Sequence, residues 1–279
     1  MPIFDILIKN GTILSMDSKN SIIENGLVGI KGDTISYIGK RVKKRFEAKT
    51  VIDAKGGIIL PGLINGHTHA AMTLYRGLAD DLPLMDWLNN YIFPLESKLN
   101  ADLVYTGTIL ACAEMIMSGT TTFCDMYIFE GEASRAAKAA GMRCIVGEVL
   151  YDFDSPNYGP VANGLRYTES LIEKWHNDPL ISVAVEPHAL FTCSPGLISA
   201  ANELALKYNV PLIIHLAETE NELLYVKEKY GKRPVEHLRS LDILGPHLIA
   251  AHCVHLNEED ILRHGKNKVV VQFQEEFLD

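Results

Sequence analysis

Two histidines one residue apart, His67 and His69 in "PGLINGHTHAAM", are the first side chains of this 279-residue sequence whose spacing suggests chemistry. They follow the apolar run "GGIIL", which reads as the approach to a buried strand. In a strand, residues i and i+2 point to the same side, so both imidazoles can aim at one point, as metal ligands do. The spacing alone is weak: with 10 histidines in the chain, chance supplies roughly 0.36 such pairs. Corroboration comes from where the other histidines fall. His188 ends "VAVEPH", His215 and Glu218 close "PLIIHLAE", and His252 closes "LIAAH". For any one of these a hydrogen-bonded core histidine is the simpler reading, but five histidines at the C-terminal ends of apolar runs call for a shared cause. Three neutral imidazoles from different strands suit a zinc-like ion with one coordination position open to water. Such an ion makes hydroxide available at neutral pH. Glu218, three residues beyond His215, is placed to carry protons to or from a substrate. The run "EPHALF" holds no lysine to bridge two ions as a carbamate, which favours one metal over two. His176, His237, His247 and His264 read as surface residues, and His255, at i+3 from His252, points away from it.

Apolar runs and amphipathic segments must alternate to place these residues. The runs are "GIILPGLIN", "TTFCDM", "RCIVGEVL", "ISVAVEPHALF", "PLIIHLAE", "LIAAHCV" and "KVVVQF". Between them lie helical patterns such as "LVYTGTILACAEMIMSG" and "PGLISAANELALKY", most closed by glycine or a basic residue. Near-continuous apolar strands separated by amphipathic helices imply parallel strands covered by helices. Seven of them point to a (β/α) barrel, whose chemistry gathers at the C-terminal strand ends. No GxGxxG or GxxxxGK[ST] follows any strand, so the nucleotide-phosphate folds lack their signature. The first 56 residues have a different rhythm. "FDILIKNGTILSM" reads as two short strands around an Asn10-Gly11 turn, and "GLVGIKGDTISYIGK" as a hairpin turning at Gly32-Asp33. The expected division is a partial β-sandwich over residues 1–56 and a metal-dependent (β/α) barrel over 57–279.

Composition narrows the function classes. A net charge of −9 argues against binding to nucleic acid or an anionic membrane, both of which reward positive patches. The five cysteines are odd in number and lack a CxxC pair, which fits reduced thiols in a cytoplasmic protein. No signal peptide is read at the N-terminus, and no apolar run approaches the roughly 20 residues that span a bilayer.

The segments "PGLINGHTHAAMTLYRGLADDLPLMDWL", "IFPLESKL", "VEPHALFTCSP", "HLAETENE" and "AHCVHL" together resemble the amidohydrolase superfamily. Within it they are similar to deaminases of 5'-methylthioadenosine, S-adenosylhomocysteine or 5'-deoxyadenosine. The likeness runs over residues 1 to about 265. It implies a distorted (β/α)8 TIM barrel, incomplete here by about its last strand, with a β-sandwich built from both chain ends. It also implies one Zn2+ per subunit, with Fe2+ as the alternative, held by His67, His69 and His215. Glu96, in "IFPLES", matches the carboxylate that binds the ribose hydroxyls. His188 and Glu218 match substrate-contacting residues, Glu218 addressing the purine ring, and His252 matches a histidine that polarises the attacked centre. The implied reaction is hydrolytic deamination at C6 of a 5'-modified adenosine, a small-molecule nucleoside, and a homo-oligomer is expected of the full-length form.

The sequence departs from the family pattern at two places. Where many methylthioadenosine-type members carry an arginine, this chain has Glu148 in "VGEVL". That version resembles relatives linked to 5'-deoxyadenosine and puts Glu148 among the substrate-contacting residues. The family also carries a metal-binding aspartate on its eighth strand in an "SDG"- or "TDG"-like context, which is absent before Asp279. A truncated chain with impaired activity is the expectation, with Asp125 as a carboxylate that could take over. The alternatives are hydrolysis of another amino- or chloro-heterocycle (guanine, cytosine or a triazine), or a non-catalytic truncated remnant.

Overall fold

The computed structural model describes residues 3–40 and 46–273. Asp279 lies outside them. The chain forms two compact units, Met1–Leu63 and Ile64–Asp279.

The first unit is a five-stranded sheet of β1 (Ile3–Leu14), β2 (Ile22–Lys31), β3 (Thr34–Lys40), β4 (Glu47–Asp53) and β5 (Ile58–Ile59), ordered β3-β2-β1-β4 with β5 also on β1. The β2–β3 hairpin turns where expected: Lys31 faces Thr34 across Gly32-Asp33, and Gly32 takes a φ of +61°. Asn10-Gly11 is not a turn. β1 runs straight through it, with register shifts against β2 on either side of Gly11 and Asn10 at φ +59°. The same left-handed preference that makes Asn-Gly a turn signal here makes a β-bulge, and Asn10 Nδ2 donates to Asp53 Oδ2 at 3.0 Å.

The expected strand "GIILPGLIN" divides in two. Ile58 and Ile59 pair with Thr12 and Ile13 of the first sheet, and a new strand, β6 (Leu63–Thr68), begins beyond Pro61. Proline has no N–H for a ladder and its ring restricts the residue before it, so pairing breaks there.

In the second unit β6 is followed by β7 (Thr120–Tyr127), β8 (Arg143–Leu150), β9 (Ile181–Val183), β10 (Glu186–Pro187), β11 (Leu212–Leu216), β12 (Leu248–His252) and β13 (Val270–Phe273). β7, β8 and the β9/β10 segment pair in parallel, as do β11, β12 and β13. Parallel bridges Val185–Leu212 and Ala189–His215 join the two groups, and β6 flanks β7. Strand order in space is therefore strand order in sequence. The sheet curls: a Cβ added at Gly66 of β6 would meet the Gln272 amide of β13 at 3.1 Å, so the last described strand reaches back to the first. Helices Ala101–Met117, Glu130–Ala140, Val161–Trp175, Pro195–Tyr208, Glu220–Tyr230 and Glu258–Asn267 alternate with the strands. Because helices cover the strands, β11 is buried at every residue, and Phe123, Val146, Leu150 and Ile213 form part of the core. This is a mixed α/β fold with a curled parallel sheet, as the alternation of runs predicts. Among the described residues no helix is long and apolar enough to cross a membrane.

Candidate active site

The five strand-end histidines converge. The His67 ring centroid lies 4.9 Å from that of His69, 4.9 Å from His215 and 5.2 Å from His252, and His188 lies 4.9 Å from His215. Among the described residues the tightest set of donor atoms belongs to His67, His215 and His252, all within 4.8 Å of one another. His69 stands 5.5 Å from His215, centroid to centroid.

Backbone carbonyls set the tautomers of two rings. His69 Nδ1 donates to Met126 O at 2.5 Å, and His215 Nδ1 donates to His188 O at 2.9 Å. In each case the proton sits on Nδ1 and the Nε2 lone pair points away from the wall, as in metal-ligating histidines. His215 Nε2 then faces His67 Nε2 at 3.1 Å, while His67 Nδ1 is buried without a partner. Two ring nitrogens sharing one cation at about 2.0–2.1 Å, as zinc does with histidine, stand roughly 3.3 Å apart in tetrahedral geometry. The pair therefore fits an ion between them.

Electrostatics agree. Burial, and then the neighbouring imidazoles, hold His67 down at about 2, His188 at about 3 and His252 at about 4. Burial lowers His69, and His215 far more. All five are neutral at physiological pH, the form that ligates. His188 Nδ1 meets Thr192 Oγ1 at 2.8 Å, and that hydroxyl's own proton goes to Ala189 O at 3.2 Å, so the imidazole is the donor.

Glu218 follows β11 with its side chain 10% exposed and Oε1 3.6 Å from His252 Nε2. His252 and Cys253 take left-handed φ values of +68° and +57°, a strained conformation of the kind that gathers at functional sites. Sequence reasoning passed over Glu222, which is buried and accepts from the backbone N–H groups of Ala217 (3.1 Å) and Glu218 (3.0 Å). A signal was available: Thr219-x-x-Glu222 has capping-box spacing. Thr219 indeed caps the helix, while Glu222 reaches past it to the residues that present Glu218.

Beside the histidines opens a cleft lined by His69, Trp87, Glu96, Tyr127, Tyr151 and His188 among others. Glu96 ends the short helix Phe93–Glu96 and enters the cleft from the segment after β6. Burial pushes its carboxyl up to about 7, with the Tyr127 hydroxyl pulling back. Tyr151 stacks on Phe153 at 3.9 Å and completes an apolar wall.

Glu148 is placed elsewhere. It is fully buried, and its carboxylate accepts from the N–H groups of Phe129 (3.2 Å) and Glu130 (2.8 Å) and from Asn157 Nδ2 (2.8 Å). Its oxygens hold the N-terminus of the helix Glu130–Ala140 and do not line the cleft. Asp125 likewise lies outside the tight donor set, its Oδ1 accepting from Ala70 N at 2.6 Å. Two supposed surface histidines are buried. His237 stacks on Tyr230 at 4.0 Å, and His264 packs on the inner side of its helix. Both lie on the inward faces of their helices, which a reading of polarity alone misses. His176 is exposed.

Comparison with known proteins follows the same lines. The chain is 57% identical over 269 residues to a 5-methylthioadenosine/S-adenosylhomocysteine deaminase of Syntrophobacter fumaroxidans, covering 96% of this chain and 61% of that protein. It is 43% identical to a 5'-deoxyadenosine deaminase of Methanosarcina barkeri, again over 96% of this chain and 61% of the other. A zinc-bound crystal structure of an adenosine deaminase from Xanthomonas campestris superposes with a TM-score of 0.94 at 32% identity, over 96% of this chain and 62% of that one. The chain thus spans about six-tenths of the length of these relatives. The pattern of the "Amidohydrolase family" matches residues 58–278, which include every histidine of the rim, and the chain belongs to that family.

Proposed function

We propose that this chain carries the site of a Zn2+-dependent hydrolase that deaminates a 5'-modified adenosine at C6, in a distorted (β/α)8 barrel whose N-terminal sheet is one layer of a β-sandwich. The observation that carries the reading is the juxtaposition of neutral, converging imidazoles and Glu218 with a cleft that holds a second carboxylate, Glu96. His67, His69 and His215 would hold the ion. When bound, it supplies Lewis acidity and an activated water. Since His252 completes the tightest donor set, its service as a ligand in place of His69 is the second reading. The named activities of the relatives, on methylthioadenosine, S-adenosylhomocysteine and 5'-deoxyadenosine, support the substrate class.

The chain's own residues account for the rest. Net reaction replaces the C6 amino group by oxygen from water and releases ammonia. Glu218 is near enough to His252 for the two to manage the protons: one reaches the ring nitrogen next to C6, and another reaches the leaving amine. His252, buried, and His188, half-buried, both neutral, direct hydrogen bonds at the reacting edge of the base. Glu96, ionised, accepts both hydroxyl protons of a ribose diol, which a free base or a triazine does not offer.

The test is ammonia release by the purified chain with Zn2+ present. Faster release from 5'-deoxyadenosine, methylthioadenosine or S-adenosylhomocysteine than from guanine, cytosine or a chlorotriazine is expected. The reverse order would overturn the substrate class.

A pH dependence follows from Glu96. With its carboxyl near 7, the diol-accepting form dominates above that pH and is lost below it. Between pH 6 and pH 8 the ionised fraction climbs about tenfold, so adenosine should bind about tenfold more tightly at pH 8. Calorimetric titration of the metal-free chain measures this. Glu96→Gln should bind weakly at both pH values while keeping Zn2+ affinity; loss of metal along with nucleoside would mean that Glu96 serves the metal instead.

A further inference from the structure

We propose that Asp125 is a positioning residue that aims His69 at the metal site through the backbone N–H of Ala70. This rests on the metal reading of the histidine cluster given above. Asp125 lies on β7, fully buried, and its Oδ1 accepts from Ala70 N at 2.6 Å. The next residue on the same strand, Met126, accepts from the His69 ring at 2.5 Å. Adjacent residues of β7 thus grip both the imidazole and the peptide that follows it.

The local chain needs that grip. His69 is the N-cap of the 3₁₀ turn Ala70–Tyr75, with φ −122° and ψ +74°, and its side chain makes no capping bond. The first N–H groups of a helical turn have no partner within the turn. Ala70 is buried, so water cannot supply one, and Asp125 does so from 55 residues away. Without that acceptor the peptide would turn to find another, carrying the His69 Cα and the aim of Nε2 with it.

The role calls for an acceptor rather than a charge. Among the described residues no lysine or arginine pairs with Asp125, and burial raises its carboxyl as it does that of neighbouring Glu130. Asparagine offers the same carbonyl oxygen to Ala70 without the charge.

The experiment measures Zn2+ affinity by competition with a chromophoric chelator, and the visible absorption of the Co2+-loaded protein, for the full chain and its variants. Asp125→Ala should bind Zn2+ about 10–100-fold more weakly, the range for losing an outer partner of a ligating histidine, and shift the Co2+ spectrum. Asp125→Asn should restore affinity to within about threefold of wild type, a rescue that a purely electrostatic role would not allow. If Asp125→Ala fails to fold in metal-free melts, Asp125→Leu removes the acceptor while keeping the buried volume, and the same loss is expected. Wild-type affinity in Asp125→Ala, or equal damage in Asp125→Asn, would overturn the inference alone. Failure of the wild-type chain to bind Zn2+ would overturn the metal reading and this inference with it.

Discussion

Replacing His215 with alanine should cost the protein its metal and, with it, its chemistry. Removing only an outer partner of a ligating histidine already weakens binding by about 10–100-fold, so loss of the ligand itself should exceed about 100-fold. His215 is the hinge of the cluster: its Nε2 stands 3.1 Å from His67 Nε2, and its ring packs 4.9 Å from His188 and 5.2 Å from His252. Alanine also abandons the ring's bond to His188 O, which keeps only the backbone N–H of residue 215 at 3.0 Å. Chelator competition gives the affinity, and ammonia release the activity. His176→Ala, at an exposed histidine remote from the rim, serves as the control and should change neither. His215→Ala holding Zn2+ within about threefold of wild type would remove the ion from this site, because a lost ligand cannot be so nearly silent.

The second large effect is expected at Glu218. Glutamine keeps the size and one acceptor oxygen of glutamate but cannot carry a proton. Loss of a positioned proton carrier commonly costs about 10²–10⁴-fold, so Glu218→Gln should lower kcat by that factor. Zn2+ content should stay at the wild-type level, since Glu218 lies outside the tight donor set. A fall in affinity without a fall in kcat would make Glu218 a binding group only. Its setting favours the larger role: the side chain is one-tenth exposed, within 3.6 Å of His252, and Glu222 anchors its backbone N–H at 3.0 Å.

The site was legible in the sequence to the extent that strand periodicity governs it. His67 lies in β6 and His69 one residue past its end, and His215 and His252 close strands whose apolar runs could be counted. What stayed hidden were the partners of acidic residues. Glu148 has the residue type and strand-end position of a substrate contact, yet its oxygens are taken by Phe129, Glu130 and Asn157. The hydrogen bonds that decide this arise from a helix start and a loop whose approach to β8 no local pattern announces.

By itself, then, the sequence determined the alternation of apolar strands and amphipathic helices, the curled parallel order that follows from it, and the gathering of histidines on one rim. These are set by side-chain period and by burial, both of which are local. Tertiary structure alone decided that Asn10-Gly11 bulges within one strand instead of turning between two, and that Ile58 and Ile59 join the first sheet. It also decided that Asp125 reaches Ala70, that Glu222 holds the peptide of Glu218, and that Glu148 is withdrawn from the cleft. For the three buried carboxylates the physical reason is the same. A backbone group or carboxylate buried away from water must find a partner, and which one it finds depends on which segments the fold brings within about 3 Å.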